Sequence, residues 1–281
     1  MNAYEMYLEV RENIAEDTAN HWSNLEVLRK LNAAQKRVGQ KLLANGDWLL
    51  THTDLTPSAS VITLPLDCAR PVYVEEKSSG YPVWPSTTVR NRRVSRLSGT
   101  SLSSGELEYY PEGNTLVVNK DSYTTQCTVW YQKRILDMLF DTTGDTGSTT
   151  NSLIVNEEQY PNVQDDYYNG LVLEIVAGTG IGTRASITDY DGGDRKITAA
   201  LSFGTDSKWG TVPQVPEEGH DLIVLMATGQ LLAKPHSAAD PKVLEFYSFL
   251  IREATQAFDE FITLRIEDAA RTQITMLEGG D

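Results

Sequence analysis

Two stretches hold the residue types that bind ions or nucleotides. Gly178-Thr-Gly-Ile-Gly182 has the glycine density of a phosphate loop. A phosphate loop needs a helix directly after its glycines, so that the free N–H groups of the first turn point at the anion. Here Arg184-Ala-Ser-Ile-Thr188 follows and alternates like a strand, and no Gly-Lys-Ser/Thr is present, so the glycines read as a hairpin turn. Asp189-Tyr-Asp191-Gly-Gly-Asp194 bunches three carboxylates. Calcium asks for about six to eight oxygens, and the EF-hand order with its closing Glu is missing. Asp and Gly are also what a tight turn demands, and a plain hairpin is the better reading.

The remaining candidates are sparser. The four histidines, His21, His52, His220 and His236, lie in four different segments, and none shares metal-ligand spacing with Cys or Glu. No Gly-x-Ser-x-Gly elbow occurs among the many serines. Glu106 and Glu108 alternate on one strand face, the pattern of a solvated edge. These residues suggest no catalytic residue, no cofactor and no metal. The expectation is a protein that is not an enzyme.

One cluster points to a partner. Arg90-Asn-Arg92-Arg93-Val-Ser-Arg96 is a dense basic run in a chain whose formal net charge is −15. It reads equally as a solvated helix face or as a docking patch for the acidic surface of a neighbouring copy, or for phosphate. The overall charge argues against general nucleic-acid binding, which needs a basic face to displace counterions. An acidic wall that DNA merely passes is compatible with it. With 281 residues and 40% hydrophobic content, the chain can hold one large or two modest domains. Cys68 and Cys127 read as buried thiols of a reduced compartment. Met1–Val10 lacks a basic leader, and the best apolar run, Leu222–Ala227, is too short to span a bilayer, so a soluble protein made in the cytoplasm is expected.

The elements that must carry these residues start with two helices. One covers Tyr4 to about Glu16. A second opens at Ser23, where Ser23-Asn-Leu-Glu26 has capping-box spacing, and closes at Asn45-Gly46. Gly39 within it implies close approach of another helix, and Trp48 is expected to plug its end into the core. From Thr51 the period is two: strands at Val61–Leu64, Arg70–Glu75, Tyr81–Trp84, Glu106–Tyr110, Thr115–Val118 and Thr125–Lys133, with a polar surface helix over Thr87–Leu97. Asp141–Asn151 reads as a linker. After it Leu171–Val176, Arg184–Tyr190 and Arg195–Leu201 make a small all-β module. Helix returns after Pro213, nearly apolar all round. Asp240-Pro241 then starts a helix reaching about Met276, roughly 50 Å long. Leu244, Tyr247, Ile251, Ala254, Phe258, Ile262 and Ile266 form its main stripe, widened by Phe246, Phe249, Leu250, Phe261 and Leu264. A helix of that length is expected to pack within its domain over one half and to meet a partner with the other. The predicted class is α+β: a discontinuous helical bundle with a small antiparallel sheet over 1–140 and 213–281, and an inserted β-sandwich or barrel-like domain over 141–212.

That order of parts resembles the head-to-tail connector (adaptor) proteins of tailed bacteriophages. The resemblance rests on Asn24-Leu-Glu-Val-Leu-Arg-Lys-Leu-Asn-Ala-Ala-Gln35, Gly46-Asp-Trp-Leu49, the strand ending Leu64-Pro-Leu-Asp67 and the hairpin Glu106–Val118. Thr128-Val-Trp-Tyr131, Val215-Pro-Glu-Glu-Gly-His-Asp-Leu-Ile223 and the closing helix also carry it. It covers about Asn24–Arg134 and Pro213–Ala270; the stretch between Arg134 and Pro213 departs from it. The resemblance implies a structural virion protein, made in the host cytoplasm. Such proteins form a ring, commonly of twelve copies, beneath the portal protein, join it to tail or nozzle proteins, and leave a DNA ejection channel without binding DNA specifically or touching a membrane. The interface expected from these readings uses Arg90, Arg92, Arg93, Arg96, Phe258, Ile262, Ile266 and Arg271. A second reading makes the β insert a receptor- or glycan-binding module, with Tyr160, Tyr167, Tyr168 and Trp209 as its candidate aromatics. A peptidoglycan-degrading tail enzyme is a third reading and lacks a Glu set in a cleft.

Overall fold

The computed structural model describes residues 1–16, 21–45, 48–86, 107–141, 151–159, 161–233 and 240–278. Side chains are described for the same residues apart from 45, 141, 158 and 266–278. The fold is mixed α and β, with four α-helices and three sheets among these residues. It divides into two compact units, Met1–Gly46 with Ile135–Asp281, and Asp47–Arg134.

In the first unit, α1 (Ala3–Asn13) is opened by a capping box the sequence reading overlooked. The Asn2 side chain accepts from the N–H groups of Tyr4 and Glu5 at 3.0 Å, and Glu5 accepts from the Asn2 N–H at 2.9 Å. Its apolar side, Ala3, Met6, Tyr7 and Val10, is buried. α2 (Asn24–Asn45) begins where expected, the Glu26 N–H donating to the Ser23 hydroxyl at 3.2 Å. α3 (His220–Leu232) follows a single 3-10 turn over Glu217–Gly219. It buries Leu222, Ile223, Val224, Ala227 and Leu231, as its all-round apolar text predicts. α4 (Pro241–Glu278) is one unbroken helix, with Asp240 capping it by accepting from the Lys242 N–H at 2.9 Å.

The same unit holds a six-stranded antiparallel sheet built from β8 (Phe140–Asp141), β9 (Ser152–Ile154), β10 (Val172–Ala177), β11 (Arg184–Asp191), β12 (Lys196–Ala199) and β13 (Lys208–Thr211). Their order is β8-β13-β10-β11-β12-β9. Leu153, Leu173, Ile175, Ile187, Ile197 and Trp209 meet on its inner face, with Tyr168, Tyr190 and Phe203 completing one core. Gly178, Gly180 and Gly182 all have positive φ and form the hairpin turn between β10 and β11. A β-carbon on Gly178 would collide with the Asp206 carbonyl, so glycine is required there for close approach as well as conformation. Asp191 Oδ1 accepts from the Asp194 N–H at 2.9 Å and closes the turn into β12.

The expected domain boundaries at 140/141 and 212/213 differ from this division. β8 is the sheet's edge strand, paired to β13 through Trp209 with Asp141 and Gly210 with Phe140. α1 seats its first turn on Gly210, where a β-carbon would stand 2.6 Å from the Tyr4 nitrogen. On α2, the Asn32 side chain accepts from the Met138 N–H at 2.7 Å and donates to the Met138 carbonyl at 3.1 Å, while Gln35 donates to the Leu136 carbonyl at 2.8 Å. These bonds make helices and six-stranded sheet a single packing unit. Gly39 also differs from its expected role: the group pressed against it is the side chain of Ile135, in an extended segment rather than a helix.

The second unit carries β1 (Leu50–Leu55), β2 (Val61–Thr63), β3 (Cys68–Glu76), β4 (Val83–Pro85), β5 (Leu107–Glu112), β6 (Thr115–Val118) and β7 (Cys127–Lys133). They form two sheets, β1-β7-β3 and β2-β6-β5-β4, rather than the one small sheet expected. Ile62, Val74, Val83, Leu116, Val118 and Val129 supply one core between them. Cys68 and Cys127 are buried in this core as free thiols. The hairpin β5–β6 is as read from the sequence, whereas β4 pairs with β5 in parallel. The helix expected over Thr87–Leu97 lies outside the described residues.

Candidate assembly surface

At 1.5 Å per residue the 38 residues of α4 span about 57 Å. One side is fixed to its own unit. Leu244, Tyr247, Ile251 and Ala254 are half-buried, and Phe258 and Ile262 are buried at 1% and 7% exposure. Tyr247 donates its hydroxyl to the Asn13 carbonyl at 3.2 Å. Ile251 Cδ1 sits where a β-carbon on Gly229 of α3 would be 2.9 Å away. Lys41 of α2 reaches both carboxylate oxygens of Asp259 at 2.9 Å, an exposed pair worth well under about 1 kcal/mol.

Among the described residues, the large apolar groups on the outer side stay exposed. Phe246 is 57% exposed, Phe249 49% and Leu264 62%, with Val243 one turn before Phe246 also exposed. Val243, Phe246 and Phe249 lie within two turns and form one apolar patch, a feature monomeric proteins usually limit, while Leu264 stands about four turns further along the helix. From Arg252 to Leu264 the helix borders an open groove of about 600 Å³. Within it Gln256 donates to Glu260 at 3.1 Å, and the Thr263 hydroxyl to the Asp259 carbonyl at 2.8 Å, so these polar groups are tied to the helix itself.

The expected interface residues are placed unevenly. Phe258 and Ile262 differ from the expectation: they belong to the stripe that packs inside their own unit and are not surface residues. Ile266 and Arg271 fall on the α4 backbone, with side chains outside the described residues. Arg90, Arg92, Arg93 and Arg96 lie outside them altogether. Phe246, Phe249 and Leu264, which the sequence reading used only to widen the main stripe, are exposed instead, because they stand to the side of Phe258 and Ile262 that faces away from the unit.

The other chemical candidates are also located. His220 is buried at the start of α3, its Nε2 3.1 Å from the Val215 carbonyl and its Nδ1 3.1 Å from the Met1 nitrogen. Burial, and next the positive charge of that amino group, hold its pKa below the usual histidine value. His52 stacks on Trp130 with ring centroids 4.6 Å apart, and His236 is outside the described residues. Among the described residues no three His, Cys, Asp or Glu side chains converge as a metal-ligand set. Tyr168 and Trp209, offered as glycan-stacking aromatics, are instead core residues at 2% and 3% exposure, Tyr167 packs against that core, and Tyr160 lies outside the described residues. No helix among the described residues is long and apolar enough to cross a membrane. Neither a known protein-family model nor a curated protein matches the chain.

Proposed function

We propose that this chain is a structural assembly subunit, a head-to-tail adaptor of a tailed-phage virion, with no catalytic role. It packs side by side with further copies into a ring, binds the portal protein on one side and tail or nozzle proteins on the other, and leaves a channel that DNA passes without specific binding. The supporting observation is the two-sided helix α4: one face anchored in its unit, the other presenting Phe246, Phe249 and Leu264. A ring needs two dissimilar surfaces per subunit that close on each other, and a long helix with an apolar outer face supplies one of them. The net charge of −15 suits a channel wall, because tight phosphate binding would hold DNA that must leave. The ring of twelve and the portal partner come from the resemblance of the sequence to connector proteins. The helices meeting from the two ends of the chain are read as the discontinuous bundle of such an adaptor.

Negative-stain imaging of the purified protein, with and without portal rings, tests this. The expected result is ring particles, or an added layer on portal rings. A monomer that leaves portal rings unchanged at high concentration removes the proposal.

A further inference from the structure

The outer face of the second unit carries a row of aromatic rings drawn from four strands. In the register of β1, β7 and β3, His52 stands opposite Trp130, and Trp130 opposite Tyr73. Val74, Cys127, Val129 and Tyr131 turn into the core, so the residues alternating with them turn out of it. The bridge between Glu75 and Pro82 then sets Trp84 of β4 level with Tyr73, each two residues from the bridge. Tyr73 is 39% exposed and Trp84 52%, while His52 is exposed and Trp130 half-buried. With neighbouring strands about 4.8 Å apart, the row is about 14 Å long.

The row beside it is polar. Asp54, Thr128 and Glu75 stand in register there, and the Thr128 hydroxyl donates to Asp54 at 2.8 Å. Lys77 pairs with Asp54 at 2.6 Å, and Trp130 Nε1 lies 3.5 Å from Glu75 Oε1. On the other flank Arg70 is exposed, in register with Gln132. This face therefore holds both signs of charge, in a chain whose net charge is −15. Its carboxylates repel phosphate, and its mixed charge gives a basic segment little net attraction. Rings bordered by acceptors suit a neutral, hydroxyl-rich chain. The C–H faces of such a ligand cover rigid amphipathic rings, and its hydroxyls donate to carboxylate oxygens. We propose that the face of β1, β7, β3 and β4 binds a neutral polysaccharide along His52, Trp130, Tyr73 and Trp84, with Asp54 and Glu75 accepting from sugar hydroxyls. The strip lies wholly within the second unit and uses none of the aromatics first read as glycan candidates on the β insert. It also stands independently of the ring.

Calorimetric titration of the full chain with cellohexaose, maltohexaose and chitohexaose tests this. At least one of the three is expected to bind saturably at millimolar concentration or below. Tyr73→Ala with Trp84→Ala should weaken that binding at least about tenfold, and His52→Ala at the far end of the row severalfold. The three side chains are exposed, and an unchanged unfolding midpoint separates lost contact from lost fold. A Phe246→Ser, Phe249→Ser variant should bind the sugar as the native chain does, which separates the strip from self-assembly. Failure of all three sugars to bind, or binding indifferent to Tyr73 and Trp84, overturns the proposal. A hexa-arginine peptide held more tightly than any of the sugars, and lost in the Tyr73→Ala, Trp84→Ala variant, would assign the strip to a basic protein segment and overturn the polysaccharide.

Discussion

Phe258 of α4 rests its ring against Gly219, at a place where a β-carbon would come within 2.9 Å of ring atom Cε2 and 2.7 Å of Val215 Cγ1. This contact fixes the long helix to the turn that launches α3, and it settles which face of α4 belongs to the protomer. An aromatic ring in a filled core cannot swing aside as an aliphatic tip can. Gly219→Ala is therefore expected to destabilise the protein by about 1–3 kcal/mol, and Phe258→Ala by about 3–5 kcal/mol. Urea unfolding monitored by circular dichroism measures both; a neutral Gly219→Ala would place the ring elsewhere.

Arg11 is a buried cation on α1 with its partners assembled around it. Its guanidinium meets Glu16 at 2.5 Å, the Trp22 carbonyl at 2.6 Å and Asn24 Oδ1 at 3.0 Å, which ties α1 to the entry of α2. Removing it takes the cation from Glu16, which keeps only the His21 and Trp22 N–H groups, and leaves the Trp22 carbonyl without this donor. Arg11→Ala is expected to cost about 3 kcal/mol or more, and Arg11→Lys to recover only part, because a compact ammonium on a shorter reach does not reproduce the planar guanidinium fork that meets these acceptors. Thermal unfolding of the two variants gives the comparison.

His220 gives the fold a pH dependence of defined sign. The folded state favours the neutral ring, so its pKa lies below the value of about 6.5 that the unfolded chain retains. Below that value the unfolded state binds more protons, and stability falls as pH drops toward the folded pKa; above it the contribution is constant. The stability difference between the native chain and His220→Gln should therefore shrink from pH 7.5 to pH 5.5. A difference that stays flat, or grows on acidification, contradicts the neutral buried ring.

Much of this architecture was legible in the sequence, for reasons tied to particular residues. Ser23 and Asp240 mark helix starts because a side-chain oxygen beside free N–H groups leaves a local signature. The hairpin through Pro111–Asn114 and the glycine turn at 178–182 are likewise encoded within a few residues. What failed was non-local. Nothing near Phe140 tells that it pairs with Gly210, so β8 at the start of the linker text, and β9 just past its end, are not legible in the sequence. On α4 the residue types agree on both faces. The period shows that Phe246 and Phe258 lie on different sides, but only the packing of Gly219 and Gly229 shows which side is turned inward. The interface was accordingly assigned to Phe258 and Ile262 when the outer phenylalanines were the accessible ones.

Sedimentation velocity of the native chain beside a Phe246→Ser, Phe249→Ser variant tests most directly whether the outer face of α4 is an assembly surface. Both side chains are about half exposed, so the unfolding midpoint should change little. The account predicts that the native protein shifts to larger species as concentration rises, and that the variant needs about tenfold more protein or more to do so. A native chain that stays monomeric at every concentration, or a variant that assembles as readily as the native one, would contradict it.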